Sequence, residues 1–131
     1  MIVFSMNTVV ITYDAADRIL MQKWIGFSPS ETFRLAIDKT VDFVRSHHVM
    51  GILNDTYEQG AVAPEDGLYA ANVMPDLFQN GLRGMAIIAP QKSTTRLAID
   101  RFQKNSTEAE EKVRTFVDLE EALVWLRSFS G

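Results

Sequence analysis

Apolar residues recur first at strand spacing. Residues 9–13 (VVITY) are β-branched and aromatic, and residues 19–25 (ILMQKWI) form a second such run. Between them, Asp14-Ala15-Ala16-Asp17-Arg18 reads as a turn, so the pair predicts an antiparallel hairpin that Gly26 ends. Residues 2–4 (IVF) predict an extra edge strand or an extension of the first. The period then changes. Phe33, Ala36, Ile37, Val41 and Val44 recur at helical spacing and predict one buried helix face. Ahead of them, Ser28-Pro29-Ser30-Glu31 predicts a capping box. Ser28 is the N-cap, Pro29 takes the first helical position, where its missing N–H costs nothing, and Glu31 takes the third. The helix is expected to end near His47 and His48, because imidazoles favour the negative helix end.

Residues 49–53 predict a short buried strand, and residues 54–63 a loop. Pro64-Glu65-Asp66 opens another helix with acids in its first turn. Pro75 breaks or kinks that helix, because Met74 before it is pushed away from α geometry. Asn80-Gly81 supplies the stop. Residues 85–89 predict an apolar strand ended by Pro90. Ser93 or Thr94 can cap a helix reaching Phe102, and residues 104–111 predict a polar loop or frayed helix end. Residues 114–117 predict the last strand. Asp118-Leu119-Glu120-Glu121 predicts a second capping box, ahead of the stripe Leu119, Ala122, Leu123 and Leu126. A hairpin followed by strand–helix alternation predicts a single α/β domain over residues 1–131. Its sheet is mixed, with about five strands, largely parallel after the hairpin, and about four helices cover it.

Composition narrows the chemistry. The chain has 131 residues, enough for one real core. Its 47% apolar and 23% charged content sets aside the disordered and membrane classes. The absence of cysteine removes disulfides, thiolate nucleophiles and cysteine-based zinc sites. A net charge of −4 gives no footprint for a nucleic-acid backbone. The N-terminus has no basic n-region or small-residue cleavage site, so no signal peptide is expected. No apolar run approaches the roughly 20 residues a bilayer span needs. A cytoplasmic protein without a cofactor or a membrane span is the expectation.

Certain residues carry a family likeness: Tyr13, the Trp24-Ile25-Gly26 step and Leu53-Asn54-Asp55 at the end of the third strand. Pro75 followed by Gly81-Leu82-Arg83, and the closing Phe116-Val117-Asp118 through Ala122 to Trp125-Leu126, extend it. In order and spacing these resemble the STAS fold of bacterial anti-sigma-factor antagonists, and more narrowly the stand-alone SpoIIAA-like proteins of bacteria. The likeness spans residues 7–129. It implies a non-enzymatic regulatory or binding module acting through a protein partner or a small apolar or anionic ligand. In the antagonists a kinase phosphorylates a serine that follows an aspartate after the third strand, at the next helix start. Asp55-Thr56 stands at the matching place, but the predicted loop to Pro64 is longer, and Ala61, Val62 and Ala63 hold no hydroxyl. Thr56 is therefore not expected to be an obligatory phosphoacceptor.

Asp55, Thr56, Tyr57 and Glu58 are the candidate ligand- or partner-binding residues, at a strand's carboxyl end where open α/β sheets place ligands. The plain alternative is that Asp55 makes an Asx-type turn and Thr56 caps the way out of the sheet. Asp55, Glu58, Glu65 and Asp66 have the oxygens a hard cation wants, but their spacing matches no calcium loop. His47 and His48 diverge as helical neighbours and do not suit one metal. Arg83, Lys92, Arg96 and Arg101 form a basic stretch that suits a solvated helix face or an anionic group. Trp24, Trp125 and Phe129 can complete the core, line a lipid-accepting cleft or form a dimer surface. No P-loop, G-x-G-x-x-G or G-x-S-x-G is present. No catalytic or metal residue is assigned. The alternatives kept open are a small hydrolase-type enzyme on the acidic loop, with Asp55 and Glu65 as its carboxylate pair, and a self-associating module such as a homodimer.

Overall fold

The computed structural model describes residues 1–90 and 112–130. Its centre is one six-stranded sheet whose spatial order is the chain order. β1 (Ile2–Met6), β2 (Val9–Asp14) and β3 (Ile19–Gly26) form an antiparallel meander. β4 (Gly51–Gln59), β5 (Gly84–Ile88) and β6 (Val113–Phe116) then add in parallel. This is the mixed α/β sheet that the sequence predicts, with β1 as a sixth strand at the edge. The helix and loop predicted between Ser93 and residue 111, with Lys92, Arg96 and Arg101, lie outside the described residues.

The helices are α1 (Ser30–Ser46), α2 (Pro64–Asn72), α3 (Met74–Gln79) and α4 (Leu119–Arg127), the last followed by a 3-10 turn, Ser128–Ser130. No helix among the described residues is long and apolar enough to cross a membrane. Side chains alternate between the sheet's faces. Val9, Ile11, Leu20, Trp24, Ile52 and Ile87 pack toward α1, α2 and α3. Ile19, Leu53, Ala86 and Ile88 pack with Ala122 and Leu126 of α4 on the other face. There the contact is close enough to require glycine: a Cβ on Gly84 would lie 2.7 Å from Phe129 Cε2.

Helix ends follow local chemistry, with one correction. Asp118 caps α4 by accepting the Glu120 N–H at 3.0 Å. The α2–α3 break falls at Val73, just before Met74-Pro75. α3 ends in a Schellman motif: Leu82 N–H donates to the Leu77 carbonyl at 3.1 Å and Gly81 N–H to that of Phe78 at 3.3 Å, with Gly81 at φ +108°. The predicted capping box at Ser28 does not form. Pro29 is extended (φ −56°, ψ 151°) and is itself the N-cap, so α1 starts beyond the reach of Ser28. Ser28 Oγ donates instead to Thr8 Oγ1 at 2.8 Å, which ties the approach to α1 to the β1–β2 turn.

The largest departure is β4. Residues 54–59, predicted as loop, continue the strand. β5 ends opposite Asp55, but β3 keeps pairing, with Ile25 opposite Glu58 and Gly26 opposite Gln59. The register slips by one residue between Lys23–Asp55 and Ile25–Glu58, absorbing an extra residue on β4. Gly60 N–H then donates to the Gly26 carbonyl at 2.8 Å. Asn, Asp and Thr usually mark turns, but a neighbouring strand with free backbone groups overrides that preference.

Candidate functional site

At the carboxyl end of β4 the four predicted residues do not converge. Asp55 follows Leu53 on the α4 side of the sheet, and its Oδ1 accepts the Tyr57 N–H at 3.2 Å, an Asx-type bond at the register slip. Thr56 is completely buried, and its hydroxyl donates to the Ile88 carbonyl at 2.6 Å, closing the end of β5. Tyr57 and Glu58 face solvent. A kinase cannot reach Thr56 in this fold. Burial replaces loop length as the physical ground for discounting it, since the long loop does not exist. The monotonic strand order also lacks the reversal that opens a ligand crevice at strand ends.

The acidic group is dispersed as well. α2, which carries Glu65 and Asp66, packs over the opposite face from Asp55. Asp66 is buried and structural: Ser30 Oγ donates to its Oδ2 at 2.7 Å and Arg34 Nε to its Oδ1 at 3.0 Å, so it joins α2 to the start of α1. Among the described residues no three His, Asp or Glu side chains are grouped to hold a metal ion. Trp24 is core. Trp125 packs between Phe116 and Phe129 under the guanidinium of Arg114. Arg83 Nη1 donates to the Phe129 carbonyl at 2.7 Å.

The histidines line a shallow groove of about 550 Å³ between the ends of α1 and α3. His47 stacks on Phe43 with ring centroids 3.8 Å apart. His48 Nε2 meets Arg18 Nη1 at 3.2 Å. Arginine can only donate, so this nitrogen accepts and the imidazole carries its proton on Nδ1. Tyr13 donates its hydroxyl to the His48 carbonyl at 2.6 Å. Burial pushes the Tyr13 phenol above its ordinary value, against the pull of Arg18. Three of the groove's other polar side chains are engaged: Arg45 with Asp76, Asn80 with Asp76, and Ser46 with the Asp42 carbonyl.

A different arrangement sits between the sheet and α1–α3. A cavity of about 30 Å³ is walled by apolar side chains, among them Ile37, Met74, Leu77 and Met85, and by three polar ones, Gln22, Thr40 and Asn54. Gln22 and Asn54 are register partners on β3 and β4. Gln22 is only 3% exposed, and its Nε2 donates to Thr40 Oγ1 at 2.8 Å. Asn54 Oδ1 accepts from Trp24 Nε1 at 2.8 Å. Gln22 Oε1 and Asn54 Nδ2 have no partner among the described residues. A buried polar group left unpaired costs about 1–3 kcal/mol; Gln22 Oε1 is such a group, and beside it stands the partly buried Asn54, so the cavity marks a place that an occupant completes. The histidine groove, by contrast, is an open surface feature whose Arg45, Ser46 and Asn80 side chains already have partners.

Sequence reasoning missed all three polar residues, although each breaks a visible pattern. Gln22 lies between Leu20 and Trp24 at the inward parity of β3, Asn54 follows Ile52 at the inward parity of β4, and Thr40 sits in the apolar stripe of α1. No protein-family model matches the chain, and a search of curated proteins gave no match.

Proposed function

We propose that the chain is a non-enzymatic, STAS-like ligand-binding module whose ligand is received in the cavity between the sheet and α1–α3. The observation that carries this reading is the pair of unpartnered amide groups, Gln22 Oε1 and Asn54 Nδ2, on register-paired residues that line one small, largely apolar cavity. Binding pockets pair apolar walls with a few placed polar groups, and this cavity has that composition in miniature. The STAS likeness is supported by the order of elements: a hairpin, then strand and helix alternating along a mixed sheet. In this reading the protein works without phosphorylation at Thr56, in a cytoplasmic setting, and the cover formed by α2 and α3 transmits occupancy to whatever partner reads it.

Side-chain amide and indole resonances test the proposal. In the full chain, a panel of small acids, amines, alcohols and hydrocarbons is titrated while the NH₂ signals of Gln22 and Asn54 and the Trp24 indole N–H are followed by NMR. At least one class is expected to shift these signals saturably and together. If no member of the panel does so, the ligand-binding reading fails.

A further inference from the structure

The cavity's hydrogens are oriented by what the neighbouring groups are able to do. Thr40 donates its single hydroxyl hydrogen to the Ala36 carbonyl at 2.9 Å. Toward Gln22 it can then only accept, so Gln22 must turn its NH₂ to Thr40, leaving Oε1 as a spare acceptor. The indole N–H of Trp24 is a donor only, so Asn54 must offer it Oδ1, leaving the NH₂ as a spare donor. A spare acceptor and a spare donor therefore stand on adjacent strands at the same register. No charged side chain lines the space.

Resting on the ligand-binding reading above, we propose that the cavity selects a neutral hydroxyl group, which donates to Gln22 Oε1 and accepts from Asn54 Nδ2. The ligand class is a small alcohol, or the alcohol end of a larger apolar molecule. A carboxylate only accepts and would face Gln22 Oε1 with a second acceptor. An ammonium only donates and would face the Asn54 NH₂ with a second donor. Either ion would also be buried without a countercharge. A hydrocarbon serves neither group. At about 30 Å³ the space admits roughly two water-sized spheres, which suits a hydroxyl with its first carbon and is tight for a planar amide. The apolar side chains of Ile37, Met74 and Leu77 receive the carbon, and water is the occupant that the alcohol displaces.

The test compares methanol, formate, methylammonium and methane on the full chain, following the Gln22 and Asn54 NH₂ signals and water-to-amide NOEs at the same groups. Saturable shifts with methanol, loss of the water NOE, and an affinity on the order of tenfold above the other three are expected. Gln22→Met keeps the side chain's length and removes the acceptor, and it should erase that preference. The wild-type series stands on its own if the variant fails to fold. Equal or tighter binding of formate, methylammonium or methane overturns the hydroxyl assignment while leaving a ligand site. A water NOE that persists at saturating methanol overturns it too, by showing a fixed structural water. Silence from all four probes at these signals defeats both the assignment and the reading beneath it.

Discussion

On the α4 side of the sheet, Ile19, Leu53, Ala86 and Ile88 meet Ala122 and Leu126 in a wholly apolar cluster, and Leu126 packs directly over Gly51. On the α1–α3 side, Gln22, Thr40 and Asn54 interrupt the apolar surface, and a small cavity remains where they meet. Among the described residues, one face is held by close packing over glycines beneath α4. The other is held by oriented hydrogen bonds and a cover broken at Val73, with Asp66 joining α2 to α1. Burial can thus anchor one layer while the other keeps a space, and different kinds of substitution should injure each.

The sharpest break is expected on the apolar side. Leu126→Ala removes a fully buried side chain seated on a strand and should cost about 3 kcal/mol in urea unfolding. A loss no larger than that of an exposed leucine would mean that α4 does not anchor the sheet. Asp66→Ala strikes the tie on the opposite side and should cost about 2 kcal/mol by the same measurement. Arg34 is 43% exposed and regains water when the pair is cut, so the Arg34–Asp66 pair accounts for only part of that loss. Asp66→Asn should cost less, because an oxygen remains for Ser30. Asp118→Ala, removing the α4 cap, should cost about 1 kcal/mol. Gln22→Met sharpens the comparison in the other direction. It removes an amide with an unpartnered oxygen and leaves Thr40 still donating to Ala36, so stability should stay within about 0.5 kcal/mol of the parent. A loss as large as that of Leu126→Ala would show that the polar face is structural first.

The mildest effect concerns pH. The Tyr69 phenol is held above its ordinary value chiefly by donating to Asp38, and Tyr13 is raised chiefly by burial. The fold therefore favours both neutral phenols. Their contribution is complete below the unfolded tyrosine value of about 10 and is lost as pH rises from there through the folded values. Both lie on the α1 side, so Tyr69→Phe and Tyr13→Phe should flatten the alkaline end of the stability curve. Phenolate absorbance alongside unfolding would detect this. An unchanged alkaline limb in both variants would contradict it.

The sequence made the strand–helix alternation legible because Ile, Val and Leu recur at periods only one element type satisfies. The α2–α3 break was legible from Pro75, and the end of α3 from Asn80-Gly81, since both are consequences of backbone geometry. Two local readings lost to tertiary partners. Ser28 reads as a cap, but Thr8, twenty positions earlier, takes its hydroxyl. Asn54-Asp55-Thr56 reads as a turn, but the free edge of β3 holds it as strand. The candidate site was hidden for a related reason. Gln22, Thr40 and Asn54 are unremarkable polar residues until parity places all three inward, and the cavity they share depends on how far α2 and α3 stand from the sheet.

The chain-order sheet has a consequence for synthesis. Every strand lies beside the one made just before it, and the first three need only short turns to pair. As the chain leaves the ribosome N-terminus first, each new strand finds its template already present, and none must wait for a segment not yet made. Folding can follow translation by successive addition at a single growing edge. The growing edge of the nascent sheet is then the one the next strand will cover. Along β1, at the other edge, Ile2 and Met6 are exposed, and there an irregular register between Ile2 and Phe4 works against pairing with a second nascent chain.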